Sequence, residues 1–376
     1  MKILFAGGGT GGHILPILAI AREIRRIRPK EKLEFFYLGP KDEFGKILLS
    51  QEDIKVKQLL AGKIRRYFGW RNFFENLIDL VFRAPIGILQ AFFYIFFLAP
   101  DVIFSKGGFG SIPVVTAGWL LGVPIFLHES DVVPGMANRF LAKFSLKIFV
   151  SFSKTPYLPE KKMILVGNPI RKEILEGSKE EAKKFFKLSG EKPVILILGG
   201  SQGAQRINDK ILEILPEILK DFELIHQCGE KNFKEVKAEA KVMIIKDLEK
   251  YYHLFPFLKE EGLKQAYAIS DLIVSRAGAG SIFEIAAVEK SAILVPLPEA
   301  AQNHQLKNAY TYAKDGAAII LEEENFTPHF FLEKLKHLFS RPDELEKMAI
   351  AAKKFSRPLA AKIIAEYLVA YLNLTK

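Results

Sequence analysis

The sequence predicts an α/β fold of two doubly wound, Rossmann-like domains that face each other across a cleft. Short runs of Ile, Leu, Val and Phe recur along the 376 residues with helical patterns between them, which is typical of parallel sheets. This rhythm stops at Gly167-Asn168-Pro169 and restarts near residue 194. Each half opens on a strand that leads into a glycine-rich loop and then a helix, so the sequence repeats one architecture twice.

The first half contains six predicted strands, each an apolar run too short for a helix. They cover residues 2–6, 33–38, 102–105, 125–128, 148–151 and 163–166. A longer apolar run at residues 84–99 is bounded by Arg83 and Asp101 and interrupted by a proline, a glycine and a glutamine. Because a membrane span needs about 20 residues, we expect a buried or interfacial helix there.

The second half again contains six predicted strands. They cover residues 194–198, 224–227, 242–245, 272–275, 292–295 and 317–321. Residues 360–374 alternate apolar and polar side chains at helical spacing, which predicts a closing helix that packs back on the first half. We therefore expect domains at residues 1–168 and 169–356, with residues 357–376 returning to the first domain.

The composition favours a cytoplasmic protein with an anionic partner. Hydrophobic residues make up 49% of the chain and charged residues 26%, enough for two cored domains. The single cysteine, Cys228, argues against a disulfide framework, and the first apolar run is too short for a signal peptide. The net charge of +11 suits nucleic acid, an acidic membrane surface or phosphorylated substrates, and charge alone does not choose among them.

The first glycine loop is a candidate phosphate-binding element. Gly7-x-Gly9-x-x-Gly12 fits the dinucleotide fingerprint, in which glycines let backbone amides approach a pyrophosphate at a helix N-terminus. A lone match is equally compatible with glycines that only allow close helix packing. A dinucleotide site also needs an acid about 20 residues later, where Leu38-Gly39-Pro40 stands instead. The second loop, at residues 199–203, favours the ligand-binding interpretation.

Two further motifs allow more than one interpretation. His13 follows the first loop, where an imidazole could take a proton from an acceptor hydroxyl, bind a diphosphate or only cap the helix. Ser281-x-x-Glu284 fits a capping box, but a carboxylate that accepts both ribose hydroxyls of a nucleotide needs the same position. Spacing alone does not separate these roles.

Other polar residues follow strands at the expected cleft. Asn303-His304-Gln305 would supply mixed donors and acceptors to sugar hydroxyls, with a simple polar loop as the alternative. Arg171, just after the hinge, could pair with phosphates or be merely solvated. The chain has no Asp-x-Asp, His-Glu-x-x-His or Walker motif. We therefore expect no metal and no cofactor, and the missing Walker loop disfavours most ATPase and kinase activities.

Residues 63–74 interleave cations with aromatic side chains, as interfacial segments do. Cations attract anionic headgroups, and aromatic rings lie at headgroup level. A single-stranded nucleic-acid platform uses similar ingredients, and part of the set is expected to line the core. The expected membrane-contact residues are Arg65, Arg66, Trp70, Arg71, Phe73 and Phe74.

Together these motifs resemble the MurG family, the N-acetylglucosaminyltransferases that convert the first lipid-linked cell-wall intermediate to the second. The resemblance covers nearly the whole chain, and the order and spacing of the motifs make chance implausible. The matching residues are Gly8-Gly9-Thr10-Gly11-Gly12-His13, Gly107-Gly108-Phe109, His128-Glu129, Asn138-Arg139, Gly167-Asn168-Pro169-Ile170-Arg171, Gly199-Gly200-Ser201-Gln202-Gly203-Ala204, residues 276–284 and Asn303-His304-Gln305.

The resemblance implies a GT-B fold whose second half binds UDP-N-acetylglucosamine and whose first half binds a lipid diphosphate. It implies inverting, metal-independent transfer of N-acetylglucosamine to the 4-hydroxyl of the muramoyl sugar of undecaprenyl-diphospho-muramoyl-pentapeptide, in peptidoglycan synthesis. It also implies a peripheral protein at the cytoplasmic face of the cell membrane. Its partners would be an anionic membrane surface and cell-wall synthesis proteins, and not nucleic acid.

Residue roles follow from the same resemblance. His13 is the candidate general base on the acceptor hydroxyl. The implied donor-binding residues are Arg171 and Ser201 at the phosphates, the Leu258 backbone at uracil, Glu284 at the ribose, and Ala279, Gly280, Ser281, His304 and Gln305 around the sugar. The implied acceptor-binding residues are Thr10, Gly11, Gly12, Gly107, Gly108 and Asn138.

The chain departs from the family pattern at several of these motifs. Ser130 and Asp131 stand where Asn or Gln is common after His-Glu, Phe109 stands in the place of a Tyr, and Gln302 in the place of a frequent acid. One alternative is another GT-B transferase that uses a UDP-sugar and a different glycolipid acceptor. A nucleic-acid-binding module is disfavoured by the two glycine loops, and a dinucleotide-dependent oxidoreductase by the missing acid after Leu38.

Overall fold

The computed structural model describes residues 1–9, 11–62, 70–200 and 203–374, with backbone only for residues 71–73. The chain forms two compact units. Unit 1 contains Met1–Arg171 and Leu359–Lys376, and unit 2 contains Lys172–Pro358. Each unit has a parallel sheet whose central strands are buried on both faces, which explains why they read as continuous apolar runs.

Unit 1 is built on a seven-stranded sheet in the order β3-β2-β1-β4-β5-β6-β7. Strands β1 to β7 are Lys2–Ala6, Glu34–Gly39, Ile54–Gln58, Val102–Ser105, Ile125–Glu129, Lys147–Val150 and Met163–Leu165. The strand order reverses between β1 and β4, so the loops after these two strands diverge at the carboxyl edge. Ligands bind at such reversal points in parallel sheets.

Helices cover both faces of the unit 1 sheet. Helices α1 to α6 are Gly11–Ile27, Glu43–Gln51, Trp70–Ile78, Ala84–Leu98, Ile112–Leu120 and Met136–Leu141. Helix α1 buries Ile14, Ile17 and Ile24 on one face, while α4 and α5 bury Ala91, Ile95 and Val114 on the other. Each fully buried Ile contributes about 1.5–3 kcal/mol, so these helices fix the loops at the carboxyl edge.

Unit 2 repeats the design with a six-stranded sheet in the order β10-β9-β8-β11-β12-β13. Strands β8 to β13 are Val194–Leu198, Glu223–Gln227, Tyr252–Phe255, Leu272–Ser275, Ala292–Leu294 and Ala318–Ile320. Helices α7 to α15 are Lys179–Phe186, Gln205–Glu213, Leu215–Asp221, Phe233–Met243, Glu260–Ile269, Ala279–Ala287, His304–Ala313, Pro328–Phe339 and Pro342–Phe355. The reversal point here lies between β8 and β11.

The last helix, α16 (Ala360–Leu374), belongs to unit 1 although it follows unit 2 in sequence. It packs against α1 through Ile364, Ala365 and Leu368, all fully buried. The Tyr367 ring also meets the Phe126 ring edge-on at 5.7 Å. The small side chain of Ala365 lets the two helices approach closely, so α16 completes the core of unit 1.

The strand predicted at residues 242–245 is wrong. Val242 and Met243 end helix α10, and Val242 is 85% exposed. The strand of this region is β10, whose partner is β9. The apolar run misled the prediction because short apolar runs at a helix end and in a strand have the same local composition.

Strand β3 is missing from the predicted set. Its sequence, Ile-Lys-Val-Lys-Gln, alternates apolar and polar residues because it is one of the two edge strands of the sheet. Ile54 is buried, while the Lys55 ammonium lies 3.1 Å from a Glu34 carboxylate on β2. Charged edge positions protect a sheet from pairing with other chains, and they also lower the hydrophobicity of the segment.

The helix predicted at residues 84–99 is longer and more exposed than expected. α3, a π-helical segment (Asp79–Arg83) and α4 form one helix, and Phe74–Leu98 is long and apolar enough by composition to cross a membrane. Only 17% of its most apolar stretch is buried, so of the two expected alternatives the buried helix is wrong and the interfacial helix stays a prediction. Arg83 does not end the helix because its guanidinium pairs with buried Asp79 one turn earlier, at 2.7 Å.

Candidate functional site

The first glycine loop leads directly into a helix N-terminus. β1 ends at Ala6, and α1 begins at Gly11, so Gly12 and His13 lie in the first helical turn. Backbone amides in a first turn have no partner within the helix and can bind anions. Thr10 lies outside the described residues.

The imidazole of His13 is held between the loops that follow β1 and β4. A Cβ added to Gly8 would lie 2.9 Å from His13 Cε1, and one added to Gly108 would lie 2.9 Å from His13 Nε2. Gly108 also has a φ of +81°, which favours glycine. These two glycines therefore bring the backbone against the ring, and a larger residue at either position would displace it.

The Gly107-Gly108 turn is itself held by Asn138. The Gly108 amide donates to Asn138 Oδ1 at 3.2 Å, and Asn138 Nδ2 donates to Glu129 Oε2 at 2.8 Å. The Ser111 hydroxyl donates to the Gly107 carbonyl at 2.8 Å. Asn138 is 6% exposed, and both the oxygen and the nitrogen of its side-chain amide are hydrogen-bonded here. These bonds hold the Gly107-Gly108 turn in place.

A buried charge cluster that the sequence did not predict lies behind this turn. Lys106 is 2% exposed, and its ammonium donates to the Ser130 hydroxyl at 2.9 Å. Burial lowers the pKa of Lys106, which the negative charges of Glu129 and Asp131 partly offset. Burial, together with the charge of Asp131, raises the pKa of Glu129. The only sequence signal was a lysine between a buried strand and a glycine pair.

Both histidines of unit 1 are uncharged at neutral pH. Burial, followed by the positive charge of Lys106, lowers the pKa of His13 to about 3. The same two causes lower the pKa of His128, whose Nε2 donates to the Gly167 carbonyl at 3.0 Å. A neutral imidazole at position 13 keeps a lone pair that can accept a proton.

In unit 2, Gln227 connects the second glycine loop to Leu258. Gln227 Nε2 donates to the Gly200 carbonyl at 3.2 Å, and Gln227 Oε1 accepts from the Leu258 amide at 2.9 Å. Gly200 and Gly203 have positive φ angles, +75° and +80°, before α8 begins. A uracil at Leu258 would therefore have to use the carbonyl or displace Gln227. Ser201 lies outside the described residues, and nothing in the sequence singled out Gln227.

The capping-box interpretation of Ser281 and Glu284 is wrong. Helix α12 begins at Ala279 with Gly278 as its N-cap, so Ser281 is already the third helical residue. The Glu284 carboxylate instead accepts a hydrogen bond from the Tyr267 hydroxyl at 2.9 Å. The N-terminus of α12 therefore consists of small residues. The Glu284 carboxylate lies one turn further along the helix, and its hydrogen bond from Tyr267 orients it.

The loop after β12 is held in a strained conformation. Gln302 and Asn303 both have left-handed backbones, with φ of 57° and 54°, immediately before α13 begins at His304. Gln305 Oε1 accepts from the Leu297 amide at 3.0 Å, and His304 Nδ1 lies 2.8 Å from the Ala301 carbonyl. Non-glycine residues in this region cost about 1–3 kcal/mol each and concentrate at functional sites.

An ion network fixes the carboxyl edge of the unit 2 sheet. The Arg276 guanidinium, just after β11, lies 2.5 Å from Glu323 Oε1 and donates to the Val295 carbonyl at 3.3 Å. Arg206 on α8 pairs with Glu323 and, at 2.6 Å, with Glu299. Loops that follow three strands are thereby tied to the helix after the second glycine loop. The sequence did not predict this network, because its members are far apart along the chain.

The structure brings together many of the sequence-predicted residues within each unit. In unit 1, His13 contacts the turn that holds Gly107 and Gly108, with Gly11 and Gly12 in the same helical turn as His13. In unit 2, four predicted donor residues lie in the first two turns of α12: Ala279, Gly280, Ser281 and Glu284. His304 and Gln305 open α13. Arg171 is buried and is the last residue of unit 1 before the chain enters unit 2.

The expected membrane-contact residues are described only in part. Trp70 is 82% exposed and Phe74 is 56% exposed on α3. Arg65 and Arg66 lie outside the described residues, as do the side chains of Arg71 and Phe73. Across the described part of the chain, no three His, Cys, Asp or Glu side chains come together as a group that could hold a metal ion.

The chain matches two family descriptions in tandem, one for each unit. Residues 3–150 match the glycosyltransferase family 28 N-terminal domain, and residues 194–364 match the glycosyltransferase family 28 C-terminal domain. A relative from Bacillus thuringiensis subsp. konkukian is 37% identical over 98% of this chain and 99% of its own length. That relative is named a UDP-N-acetylglucosamine–N-acetylmuramyl-(pentapeptide) pyrophosphoryl-undecaprenol N-acetylglucosamine transferase.

Solved structures show the same fold. The crystal structure of Acinetobacter baumannii MurG is 26% identical, with a TM-score of 0.71 over 97% of this chain and 98% of that one. A UDP-GlcNAc 2-epimerase from Neisseria meningitidis bound to UDP-GlcNAc has a TM-score of 0.67 at 16% identity, over 98% of this chain and 100% of that one, which is a likeness of fold alone. The predicted two-domain GT-B architecture and the resemblance are thus confirmed. The chain belongs to the MurG family of UDP-N-acetylglucosamine-dependent hexosyltransferases, within glycosyltransferase family 28.

Proposed function

We propose that the chain transfers N-acetylglucosamine from UDP-N-acetylglucosamine to the 4-hydroxyl of the muramoyl sugar of a lipid-diphosphate-linked muramoyl-pentapeptide, with inversion at the anomeric carbon. The observation that carries this proposal is the neutral imidazole of His13, held against Gly8 and Gly108 beside the N-terminus of α1. This arrangement combines an anion-binding helix end with a proton acceptor. An acceptor with a diphosphate and a nucleophilic hydroxyl needs the helix end for the diphosphate and the proton acceptor for the hydroxyl.

In this proposal the acceptor diphosphate binds the backbone amides of Thr10, Gly11 and Gly12. The Gly107-Gly108 turn lines the site, while its own amides donate to Ser105 and Asn138. Amides at a helix N-terminus favour phosphate because the helix dipole adds to their hydrogen bonds. Asn138 accepts a hydrogen bond from the Gly108 amide. It is therefore a positioning residue, which acts through the Gly107-Gly108 turn. The conformation of the Gly107-Gly108 turn would then decide whether acceptor and base are aligned.

His13 would accept the proton of the attacking 4-hydroxyl. Its pKa of about 3 makes the imidazole neutral but only weakly basic. The bound diphosphate brings negative charge beside the ring, and nearby negative charge raises the pKa of an imidazole. Acceptor binding would therefore bring the proton affinity of the base closer to the range in which catalysis is efficient.

The donor site lies in unit 2 in this proposal. Glu284, oriented by Tyr267, would accept the ribose hydroxyls, and the N-terminus of α12 with His304 and Gln305 would surround the sugar. Gln227 would set the distance between the uracil site at Leu258 and the phosphate site at Ser201. The amides at the start of α8 would offset the charge that develops on the leaving UDP without a metal.

We expect Gly108→Ala to lower kcat about tenfold or more. The new methyl group would lie 2.9 Å from His13 Nε2, which forces the ring to move, and small displacements of a catalytic group cost one to two orders of magnitude in rate. Gly122→Ala is the matched control, because Gly122 has a similar φ of +71° but nothing within 4 Å of the added methyl group. Equal kcat in the two variants would contradict the proposed role of the turn.

The proposal also includes peripheral binding at the cytoplasmic face of an anionic membrane. The helix from Trp70 to Leu98 exposes large apolar side chains along much of its length, among them Phe82 and Phe97, exposed to 60% and 80%. Continuous exposed apolar surface of this kind marks membrane or protein contacts. Arg65, Arg66 and Arg71 would add attraction to anionic headgroups, about 1 kcal/mol each.

Replacing Trp70, Phe74 and Phe82 together by serine is expected to weaken binding to anionic vesicles about tenfold or more, because each side chain loses apolar burial in the interface. Sedimentation with phosphatidylglycerol-containing vesicles measures this. Val242→Ser with Ile245→Ser removes exposed apolar side chains from unit 2 instead and serves as the control. Vesicle binding that falls equally in both variants would contradict a specific contact by this helix.

The donor side of the proposal is tested by UDP release from a panel of UDP-sugars. We expect release with UDP-N-acetylglucosamine that depends on a lipid-diphosphate-muramoyl-peptide acceptor. Release with a different UDP-sugar, or with a different glycolipid in place of the muramoyl acceptor, would favour the alternative transferase of the same architecture. Release that does not depend on any acceptor would indicate hydrolysis and contradict the proposal.

A further inference from the structure

His226 is a buried polar residue of unit 2 to which the proposed function gives no task. It lies on β9, where its Nε2 is 3.0 Å from Asn208 Oδ1 on α8 and its Nδ1 is 2.8 Å from the Tyr252 hydroxyl on β10. His226 and Asn208 are both 0% exposed. Because a buried polar group is costly unless it is hydrogen-bonded, each member of this network holds its neighbour in one position.

The direction of each hydrogen bond in the network follows from the groups that it joins. Asn208 Nδ2 donates to the Cys228 carbonyl at 3.0 Å, so Asn208 Oδ1 is the acceptor for His226 Nε2. Burial lowers the pKa of His226 to about 3, so the ring is neutral and its Nδ1 accepts from the Tyr252 hydroxyl. The donors therefore run in one direction, from Tyr252 through His226 and Asn208 to the Cys228 carbonyl.

The Cys228 carbonyl at the end of this network lies against the second glycine loop. A Cβ added to Gly203 would lie 2.8 Å from this oxygen and 2.5 Å from Asn232 Nδ2, which also donates to it at 3.0 Å. Gly203 has a φ of +80° and directly precedes Ala204, the N-cap of α8. Asn208, the fourth residue of α8, thus ties the helix to the same carbonyl against which the loop packs.

The strand end of β9 holds the loop and the helix start through two neighbouring residues. Gln227 Nε2 donates to the Gly200 carbonyl at 3.2 Å on the loop, while His226 acts on α8 through Asn208. The backbone amides in the first turn of α8 have no partner within the helix and are available to a phosphate. The network through His226 therefore fixes the position of these amides relative to the loop.

We propose that His226 is a positioning residue for the donor diphosphate: through Asn208 it holds the first turn of α8 beside the second glycine loop, so that helix and loop bind the phosphates together. The inference rests on the proposed UDP site in unit 2. Binding of a phosphate by backbone amides needs several donors directed at one point, and a helix start that moves relative to the loop loses this alignment. Uridine has no phosphate and does not use these amides.

The first test compares the affinities for UDP and uridine by calorimetry. His226→Leu is expected to weaken UDP binding about tenfold, comparable to the loss of one hydrogen bond, and to leave uridine binding unchanged. His226→Gln can still donate to Asn208 and should restore most of the UDP affinity. Ser291→Ala is the control, because it removes a buried hydroxyl that donates to the Leu345 carbonyl at 2.6 Å just before β12, at the amino edge of the sheet. It should change neither affinity.

A variant without the whole network serves if the single variant fails to fold. Asn208→Leu/His226→Leu/Tyr252→Phe replaces all three bonded partners by apolar side chains, which is close to neutral for stability, and should show the same loss of UDP affinity alone. Amide hydrogen exchange within α8, measured without ligand, should be faster in either variant than in the unaltered chain.

The outcomes separate this inference from the proposed function. UDP affinity that stays unchanged in the folded variants, or uridine affinity that falls as much as UDP affinity, overturns the role of His226. Unchanged exchange within α8 contradicts it as well. Absence of UDP binding by the unaltered chain would instead contradict the proposed donor site itself.

Discussion

Replacing His13 by glutamine is expected to lower kcat by a factor of about 10²–10⁴ while the KM for UDP-N-acetylglucosamine stays within about twofold. General-base catalysis contributes this range of rate, and glutamine keeps a polar side chain of similar size that cannot take up a proton. The donor site belongs to unit 2 in our proposal, so a change in α1 should leave it intact. Steady-state kinetics with both substrates varied measures the two effects separately.

An effect on KM in place of kcat would assign His13 a different role. A His13→Gln variant with unchanged kcat and a raised KM for acceptor would make the imidazole a diphosphate ligand and not the base. His337→Gln, an exposed histidine on α14, is the matched control for a change of this kind and should behave as the unaltered chain. Its parallel loss of activity would mean that the effect is not specific to position 13.

Replacing Glu284 by glutamine is expected to lower kcat/KM for the donor about 10²-fold. The proposed carboxylate accepts two ribose hydroxyls, and hydrogen bonds to a charged acceptor contribute about 1.5–3 kcal/mol each. Glutamine can still accept from Tyr267, so the local structure should persist. The affinity for UDP alone, measured by calorimetry, should fall by a similar factor, since the ribose belongs to UDP.

The control for this change lies at the other end of the same helix. Glu289 follows α12 and pairs with Lys353 on the surface at 2.9 Å, so Glu289→Gln removes the same charge away from the proposed ribose site. We expect it to leave donor binding unchanged, because exposed ion pairs contribute little. Equal effects of the two substitutions would point to a general electrostatic effect and contradict the ribose contact.

Local patterns were enough to predict most of the fold. Strands such as β1 and β8 are buried on both faces, so their composition alone separates them from the helices between them. The prediction failed where burial is one-sided or absent: β3 is a charged edge strand, and the apolar end of α10 is exposed. Whether a segment is buried depends on how the whole chain folds, so a short window of sequence does not predict it.

The helix from Trp70 to Leu98 also shows that local sequence does not predict which residues make contacts in the fold. The glycine and the glutamine that interrupt its apolar run both contact Leu60 of the preceding loop. A Cβ at Gly87 would lie 1.9 Å from the Leu60 carbonyl, and Gln90 accepts from the Leu60 amide at 3.0 Å. These are contacts that let a long apolar helix lie on the unit, and they are not breaks in it.

The candidate site was predictable where function depends on local sequence and not where it depends on packing. The glycine loops and His13 were found because a turn, a helix start and a histidine are adjacent in the chain. Lys106, Gln227 and Tyr267 were missed because each acts on a residue from a distant segment. Only the folded sheet brings those pairs within hydrogen-bonding distance.

Transfer of labelled N-acetylglucosamine into a lipid tests the central claim most directly. The chain would be incubated with UDP-[14C]N-acetylglucosamine and a lipid-diphosphate-muramoyl-peptide acceptor, and the products separated by butanol extraction. We predict label in the organic phase, attached in β configuration to the 4-hydroxyl of the muramoyl sugar, and its loss in His13→Gln. Label that stays in the aqueous phase, or appears as an epimerised UDP-sugar, would contradict the account.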